Sequence, residues 1–289
     1  MNSKLLLLSA ILLGNIAMYS QTNQSLRASA GVGLVSLSYN LAGGSGKPKL
    51  GYGGSFSYSY FFSPNWGIGV GVGASMLTTD GFLDGALVSF ENKIDDEGDL
   101  FRKDVYFRDW HETQKALLVE VPIKLHYEYD FGLKKRRKLY IDLGVKVKLP
   151  LMASYVVTKG ELEIQGYYPE WNVLLFGMPN HGLGIENLAS TSGHLSLPLN
   201  IAATVGIGFS FEVSKKIDIY VGGVFDYGFT SMKGANDGDL LYEDGNSTLK
   251  YRGILLSSAV DKVNQISLQG EVGVRISIGN YWKKGIYRL

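Results

Sequence analysis

The chain has 289 residues, a formal net charge of +1, no cysteine and 37 glycines against 7 prolines. The lack of cysteine excludes disulfide scaffolds, thiolate metal sites and cysteine nucleophiles, and the balanced charge is unlike that of a nucleic-acid-binding protein. Many glycines with few prolines, together with 18 tyrosines, favour ordered β-structure over a disordered or collagen-like chain.

The N-terminus carries Lys4 and then an almost unbroken apolar run at 5–18, with small or polar residues up to Ser20. This arrangement predicts a secretory signal peptide over residues 1–20. The apolar run is shorter than the ~18 residues that a transmembrane helix needs, and a retained anchor is the alternative. Residues 21–289 are then expected to form one exported domain.

The rest of the chain alternates apolar residues with small or polar ones, which is typical of β-strands with two different faces. The clearest case is 66–76, where Trp66 and Ile68 begin one face and glycines fill most of the other. In the first strand the alternation is disturbed near Leu34 and Val35, which predicts a β-bulge there. Eight strands are predicted, at 25–39, 50–62, 66–76, 117–129, 139–149, 195–213, 217–230 and 265–279.

The predicted connections alternate in length. Short ones lie near 63–65, 131–137 and 214–216, and longer ones lie near 40–49, 80–113, 157–194 and 231–264. Bacterial outer-membrane barrels combine short periplasmic turns with long extracellular loops. We therefore expect the basic turn at 134–138 to face the periplasm, and the loops at 80–113, 157–194 and 231–264 to be extracellular.

The apolar face of these strands is too bulky to point inward. An eight-stranded barrel has an interior only just wide enough for side chains, and Phe56, Tyr58, Trp66 and Phe209 would overfill it, whereas the glycine and serine face fits. The predicted fold class is therefore all-β, an eight-stranded antiparallel up-and-down transmembrane β-barrel of the bacterial outer membrane. A soluble barrel with an apolar interior is the alternative.

Two loop segments, 105–110 and 161–167, also show some alternation and raise the alternative of ten strands. They hold too many charged residues for a surface that meets lipid. We therefore expect any strands there to extend the barrel above the membrane rather than to add to the number that cross it.

Aromatic residues gather where the predicted strands meet the short turns. Such residues are enriched at the membrane interfaces of outer-membrane barrels. The predicted periplasmic aromatic girdle consists of Tyr60, Phe62, Trp66, Tyr129, Tyr281 and Trp282.

Two segments carry a resemblance to a known family. The turn and strand SPNWGIGVGVG at 63–73 and the strand LLVEVPIKLHYEY at 117–129 resemble the Bacteroidetes-type outer-membrane β-barrel family that includes the PorT-like proteins. The resemblance extends over about residues 24–282. It implies a barrel in the outer membrane, and it implies a secretion-associated assembly role as one functional alternative.

The inward face carries charges of both signs on neighbouring strands. Charges in a narrow lumen of low dielectric constant need partners, so we predict a salt-bridged interior that plugs the barrel, with a narrow polar conduction path as the alternative. His126, Asp218 and Asp226 share this face. The predicted lumen charge network consists of Glu120, Lys124, Glu128, Asp142, Lys146, Lys148, Glu212, Glu271 and Arg275.

No catalytic, cofactor or metal site is predicted. His126 and Glu128 share the lumen face two residues apart and could form a base with its orienting carboxylate, but they lie near the periplasmic end, away from lipid substrates of the outer leaflet. The acidic stretches at 95–99 and 237–244 match no calcium-loop template. We interpret both stretches as solvated loops.

The predicted function is a structural or binding role through the extracellular loops. The alternatives are a small pore or transport channel, a secretion-associated assembly component, and a lipid-modifying outer-membrane enzyme. The expected partners are outer-membrane lipids, with other envelope or secretion proteins as further candidates. No nucleic-acid partner is expected.

Overall fold

The computed structural model describes residues 23–41, 43–132, 136–188, 191–234, 238–245 and 248–278. The predicted signal peptide at 1–20 lies outside the described residues, and so do Tyr281 and Trp282.

Almost all regular structure in the described residues is β-strand. Alternating side chains and abundant β-branched and aromatic residues favour this extended state. The strands are β1 (Asn23–Leu41), β2 (Gly44–Phe61), β3 (Trp66–Leu83), β4 (Leu87–Ile94), β5 (Leu100–Phe131), β6 (Arg137–Tyr168), β7 (Val173–Leu175), β8 (Gly184–Asn187), β9 (Ser192–His194), β10 (Asn200–Ser214), β11 (Ile217–Gly228), β12 (Leu241–Glu243), β13 (Leu249–Tyr251) and β14 (Val263–Ile278). Short 3₁₀ turns lie at Pro179–His181 and Ile254–Leu256.

Eight of these strands form a closed antiparallel ring in the order β1, β2, β3, β5, β6, β10, β11 and β14, and β14 pairs with β1 to close it. The predicted fold class and strand number are thus confirmed. Following paired residues once round the ring from Lys49 leads back to β2 at Ser59, so the strands are tilted as a closed barrel requires. Among the described residues, no helix is long and apolar enough to cross a membrane.

The connections that follow β2, β5 and β10 lie at one end of the barrel, together with the chain ends of the ring, and we call this the turn end. The opposite end is the loop end. The predicted long connection at 40–49 is wrong, because β1 and β2 continue to a tight hairpin in which Leu41 pairs with Gly44 and Gly43 has a φ of 73°. The strand predicted at 195–213 begins only at Asn200, since Pro198 lacks the N–H that a ladder needs.

The segments 105–110 and 161–167 belong to β5 and β6, each 32 residues long, and Val105 pairs with Ile164. They therefore lengthen two strands of the ring beyond the membrane, and the alternative of ten strands is wrong. Much of the predicted loops 80–113 and 157–194 is accordingly strand. These segments are predicted to be loops because their charged residues do not suit a strand in lipid. Such residues are normal on the part of a strand that lies in water.

The two faces of the strands exchange their apolar and polar side chains along the length of the barrel. In the membrane-facing part the outward side chains are apolar and exposed, as Val70 and Ile123 are, each about half exposed. Towards the loop end the outward positions become polar, with Thr78 on β3 and Lys115 on β5. At the same height the inward positions become apolar, and Leu118 is fully buried.

The same inversion explains the disturbed alternation predicted as a bulge. Leu34 points outward at 48 % exposure, while Val35 points inward at 1 %. Both are apolar because the apolar outer belt ends where the apolar core begins. An irregularity in the pairing of β1 with β2 lies just beyond, between Val35 and Asn40.

A cap closes the loop end of the barrel. The segment between β11 and β14 folds inward, and its residues Ile254, Leu255 and Val260 are fully buried in an apolar cluster with Trp110 and Leu37. The segment 231–264, predicted to be part of an exposed binding face, is therefore largely a cover for the barrel. The segment folds inward because its apolar residues are removed from water when they pack into the open loop end of the barrel.

We expect Val70→Lys to lower the free energy of unfolding by about 2–4 kcal/mol, because it puts a cation near the middle of the apolar belt. Thr78→Lys, on the same strand and the same face but beyond the belt, should change it by less than about 1 kcal/mol. The measurement is denaturant unfolding in lipid vesicles. Equal losses in the two variants would contradict the position of the membrane boundary.

Candidate functional site

Small residues line one side of the lumen, and long charged side chains line the other side. On β2 and β3 the inward positions are mainly glycine and serine, among them Gly53, Ser55, Gly71 and Gly73. Long charged side chains from β5, β6 and β14 lie across this wall, together with Arg27 of β1. The small residues leave room for long side chains that would otherwise not fit into eight strands.

The first group of contacts lies near the turn end, and we call it the turn-end cluster. Its members are Arg27, Lys124, His126, Glu128, Lys138, Asp142, Asp218 and Arg275. Arg275 forms ion pairs with Glu128 and Asp218, and Lys138 lies 3.3 Å and 3.7 Å from the same two carboxylates. The carboxylates thus join cations from β6 and β14 across the lumen.

Arg27 lies at the centre of the cluster. Its guanidinium nitrogens lie 3.4 Å from Glu128 and 3.4 Å from Asp142. The Tyr140 and Tyr220 rings each have their centroid 5.5 Å from the guanidinium carbon. Arginine combines ion pairs with such ring contacts because its planar group is weakly hydrated.

Tyr140 depends on two glycines for its place in the lumen. A Cβ atom at Gly222 would lie 2.2 Å from the Tyr140 hydroxyl oxygen, and one at Gly208 would lie 2.6 Å from it. The hydroxyl donates a hydrogen bond of 3.1 Å to Glu271. The glycines of β10 and β11 therefore provide the space in which this tyrosine crosses the barrel.

His126 is held by carboxylates on both sides. Its Nε2 lies 2.7 Å from Glu128, its Nδ1 contacts Asp142, and the Phe61 ring forms a T-shaped contact with the imidazole, with centroids 5.2 Å apart. None of the four histidines has its ring hydrogen-bonded to a serine or threonine hydroxyl within the described residues. The base–carboxylate pair considered from the sequence is present, but the contact that activates a hydroxyl nucleophile is not among these hydrogen bonds.

The second group, the mid-lumen cluster, consists of Glu120, Lys146, Lys148, Asp226 and Gln265. The ammonium groups of Lys146 and Lys148 lie 2.9 Å and 2.8 Å from Asp226, and 3.5 Å and 3.7 Å from Glu120. Lys148 is 1 % exposed and also donates to Gln265 at 2.7 Å. Two cations are thus matched by two carboxylates.

The structure brings most of the predicted network together. Glu120, Lys124, Glu128, Asp142, Lys146, Lys148 and Arg275 all form ion pairs in the lumen, and Glu271 accepts the bond from Tyr140. Glu212 is half-buried and forms no ion pair with a described residue. It lies at the turn end, opposite Asp218 in the sheet.

Sequence reasoning missed Arg27 and Lys138. Arg27 has the same parity in β1 as Ser25 and Ser29, so its inward direction was readable from the alternation. Lys138 was interpreted as part of a basic turn, although it has the parity of Asp142 and points into the lumen.

The charges of the two clusters, taken together with Glu271, balance. The two clusters and Glu271 hold six cationic side chains and six carboxylates, namely Arg27, Lys124, Lys138, Lys146, Lys148 and Arg275 with Glu120, Glu128, Asp142, Asp218, Asp226 and Glu271. Cavities of about 20 and 40 Å³ lie between them and the glycine and serine wall. Such volumes hold one or a few water molecules.

Aromatic residues of the predicted girdle lie together at the turn end. Phe62, Trp66 and Tyr129 are 57 %, 40 % and 55 % exposed, and Tyr60 is half-exposed. The Trp66 ring also contacts Tyr127, with centroids 4.7 Å apart. These rings lie where the apolar belt ends, as interfacial aromatics do.

One carboxyl group lies above the membrane-spanning part, inside the cap. Glu112 is fully buried and accepts hydrogen bonds from the Tyr251 hydroxyl at 2.7 Å, from Gln114 Nε2 at 2.7 Å and from the backbone N–H of Ile254 at 3.1 Å. Burial raises the pKa of Glu112 above its ordinary value despite these donors. The group links the barrel wall to the capping segment.

Comparison with known proteins agrees with the architecture. A family model described as "Outer membrane protein beta-barrel domain" matches residues 18–234. No curated protein is a significant match to the sequence.

Several solved structures are similar in outline at low sequence identity. Neisserial surface protein A is 13 % identical, with 88 % of this chain and 97 % of that chain covered and a TM-score of 0.34. OprG from Pseudomonas aeruginosa is 11 % identical, with 90 % and 97 % covered and a TM-score of 0.40. A major outer membrane protein from Thermus thermophilus is 12 % identical, with 88 % and 99 % covered and a TM-score of 0.37.

We expect Arg275→Ala to lower the free energy of unfolding by about 3–5 kcal/mol, because it removes a buried cation that pairs with two buried carboxylates, Glu128 and Asp218. The matched control is Arg137→Ala, which removes an exposed arginine at the turn end and should cost less than about 0.5 kcal/mol. Denaturant midpoints in vesicles compare the two. Equal midpoints would contradict a paired interior.

Glu112 should make the cap less stable as the pH rises. In the unfolded chain the carboxyl ionises near its ordinary pKa of about 4.5, whereas burial keeps it protonated in the folded chain up to a higher pH. Between these two values the unfolded state loses its proton first, so stability falls with rising pH and is highest below the unfolded pKa.

Replacing Glu112 by Gln should remove this slope. The tyrosines that face the group, Tyr39, Tyr155 and Tyr251, have pKa values raised by burial and do not titrate in acid. Unfolding midpoints from pH 4 to 7 test this, and an unchanged slope in Glu112→Gln would assign the pH dependence to other groups.

Proposed function

The chain belongs to the family of outer membrane protein β-barrel domains, and we propose that it acts as a closed barrel whose loop end carries the function. The protein is located in the bacterial outer membrane. The proposed role is structural or binding, performed by the part of β4, β5 and β6 that stands beyond the membrane.

The filled lumen is the observation that carries this proposal. Ion pairs occupy the membrane-spanning part, and the apolar core closes the loop end above them. A solute would have to displace both layers, and removing partners from buried ion pairs costs several kcal/mol per pair. A small pore is therefore the less favoured candidate.

The part beyond the membrane is a long paired sheet. From Leu117 to Leu100, β5 extends for roughly 55 Å along the strand, paired with β6 and flanked at its tip by β4. One face packs against the cap, where Glu243 pairs with Lys93 and with Lys103 at 3.3 Å.

The other face of this sheet is polar and open. Arg108 pairs with Glu163 at 2.7 Å and Arg102 with Asp104 at 2.9 Å. The guanidinium of Arg102 also lies 5.1 Å from the Tyr167 ring centroid. A polar face with paired charges and aromatic rings suits recognition of another macromolecule.

The narrower PorT-like affiliation, with a secretion-associated assembly role, stays a prediction that rests on the motif resemblance. It fits the same architecture, since an assembly role needs a docking face and no open lumen. A lipid-modifying activity has no observation in its favour beyond the buried His126.

In planar lipid bilayers the protein should show no regular conductance steps, because both layers close the lumen. A variant in which residues 238–260 are replaced by a short linker should also stay closed, since the ion pairs below the cap remain. Discrete steps from the unmodified protein would support the pore instead.

The loop end is proposed to face the cell exterior. Because the chain has no cysteine, single cysteines report orientation without background. A membrane-impermeant maleimide should label Glu161→Cys, exposed on β6, in intact cells, whereas Lys216→Cys, exposed at the turn end, should react only after permeabilisation. Labelling of both in denaturant is the control, and the reverse pattern would overturn the proposed orientation.

A further inference from the structure

Three lysines lie on the outer surface of the barrel where its apolar belt ends at the loop end. Lys47 and Lys49 are on β2 and Lys115 is on β5, and all three are exposed. On β3, between these two strands, Asp80 pairs in the sheet with Lys47, and Thr78 pairs with Lys115. The three cations thus span one arc of three adjacent strands.

The surface just below this arc is apolar and exposed. Leu50, Tyr52 and Met152 are each more than 60 % exposed on its membrane side. A surface of this kind contacts acyl chains. The lysines therefore lie at the depth at which the headgroups of a bilayer begin.

Hydroxyl groups complete the polar arc. Thr78 and Ser154 are the sheet neighbours of Lys115 on its two sides, and Thr113 donates to Asp80 at 2.7 Å. Ammonium and hydroxyl groups are the donors that bind phosphate oxygens in proteins. Lys115 forms no ion pair within the described residues, whereas Lys49 lies 2.5 Å from Asp80.

The opposite side of the barrel differs. Where β10 and β11 reach the loop end, the exposed residues are Leu199, Tyr227 and Phe229. This part of the surface therefore presents large uncharged side chains where the β2, β3 and β5 arc presents three lysines.

We propose that Lys47, Lys49 and Lys115 form a binding site for the phosphate of an anionic lipid headgroup, with the acyl chains lying on the apolar surface below. The site rests on the outer-membrane location and does not depend on a closed lumen or on which side the loop end faces. Asp80 limits the affinity, because it neutralises Lys49.

The test titrates detergent-purified full-length protein with phosphatidylglycerol and counts bound lipids by native mass spectrometry. Lys47→Gln with Lys115→Gln should weaken the first binding step about tenfold or more, since each cation near an anionic lipid surface contributes to the attraction. The matched control is Lys159→Gln with Lys250→Gln, which removes two exposed lysines further from the membrane and should leave binding unchanged.

Asp80→Asn should act in the opposite direction and strengthen binding severalfold, because it frees Lys49. A purely structural role of this arc would not produce opposite signs. Inorganic phosphate at the same concentration should not displace the lipid, and displacement would indicate a site for a free ion instead. Equal affinities for the two lysine double variants, or weaker binding by Asp80→Asn, would overturn the proposal.

Discussion

Each barrel strand passes through two different solvents, and the structure depends on this constraint. In lipid the backbone must be fully paired and the outer side chains must be apolar, so the ring closes and the polar residues turn inward. Beyond the lipid the outer side chains meet water, and the interior can then be an ordinary apolar core. On β1 the apolar side chains change from the outer to the inner face between Leu34, which points outward, and Val35, which points inward.

This change of faces divides the interior into two layers. Ion pairs hold the lower layer together, and apolar packing holds the upper layer together. The lower layer is specific, because every ion pair fixes the position of two side chains and a one-residue shift in register would expose charges to lipid. The upper layer is apolar, and the capping segment can join it simply by burying Ile254 and Leu255. Glu112 fixes the orientation of the capping segment, because its carboxyl group accepts a hydrogen bond from the backbone N–H of Ile254.

The fold was predictable from the sequence because period-two alternation is a local signal that survives in every strand. The lumen network was predictable for the same reason, and Lys146 and Lys148 followed from parity alone. The cap was not predictable, because the segment that contains Ile254 has no alternation and reads as a loop. The extensions of β5 and β6 were recognised only as segments, since the positive φ of Asp109 and the irregular pairing from Arg108 to Glu112 shift the parity within the strand.

The irregularity at Asp109 also has a consequence for how the protein moves. Above it β5 and β6 remain hydrogen-bonded to each other, while below it β5 is also paired with β3. The upper hairpin therefore leaves the ring at this point, with the Trp110 ring against Gly160 at its base, and the cap supports one of its faces through the ion pairs of Glu243 with Lys93 and Lys103. A sideways load that pulls the tip away from the cap is expected to break these contacts first and then to bend the hairpin near Asp109, while the ring in the membrane keeps its shape.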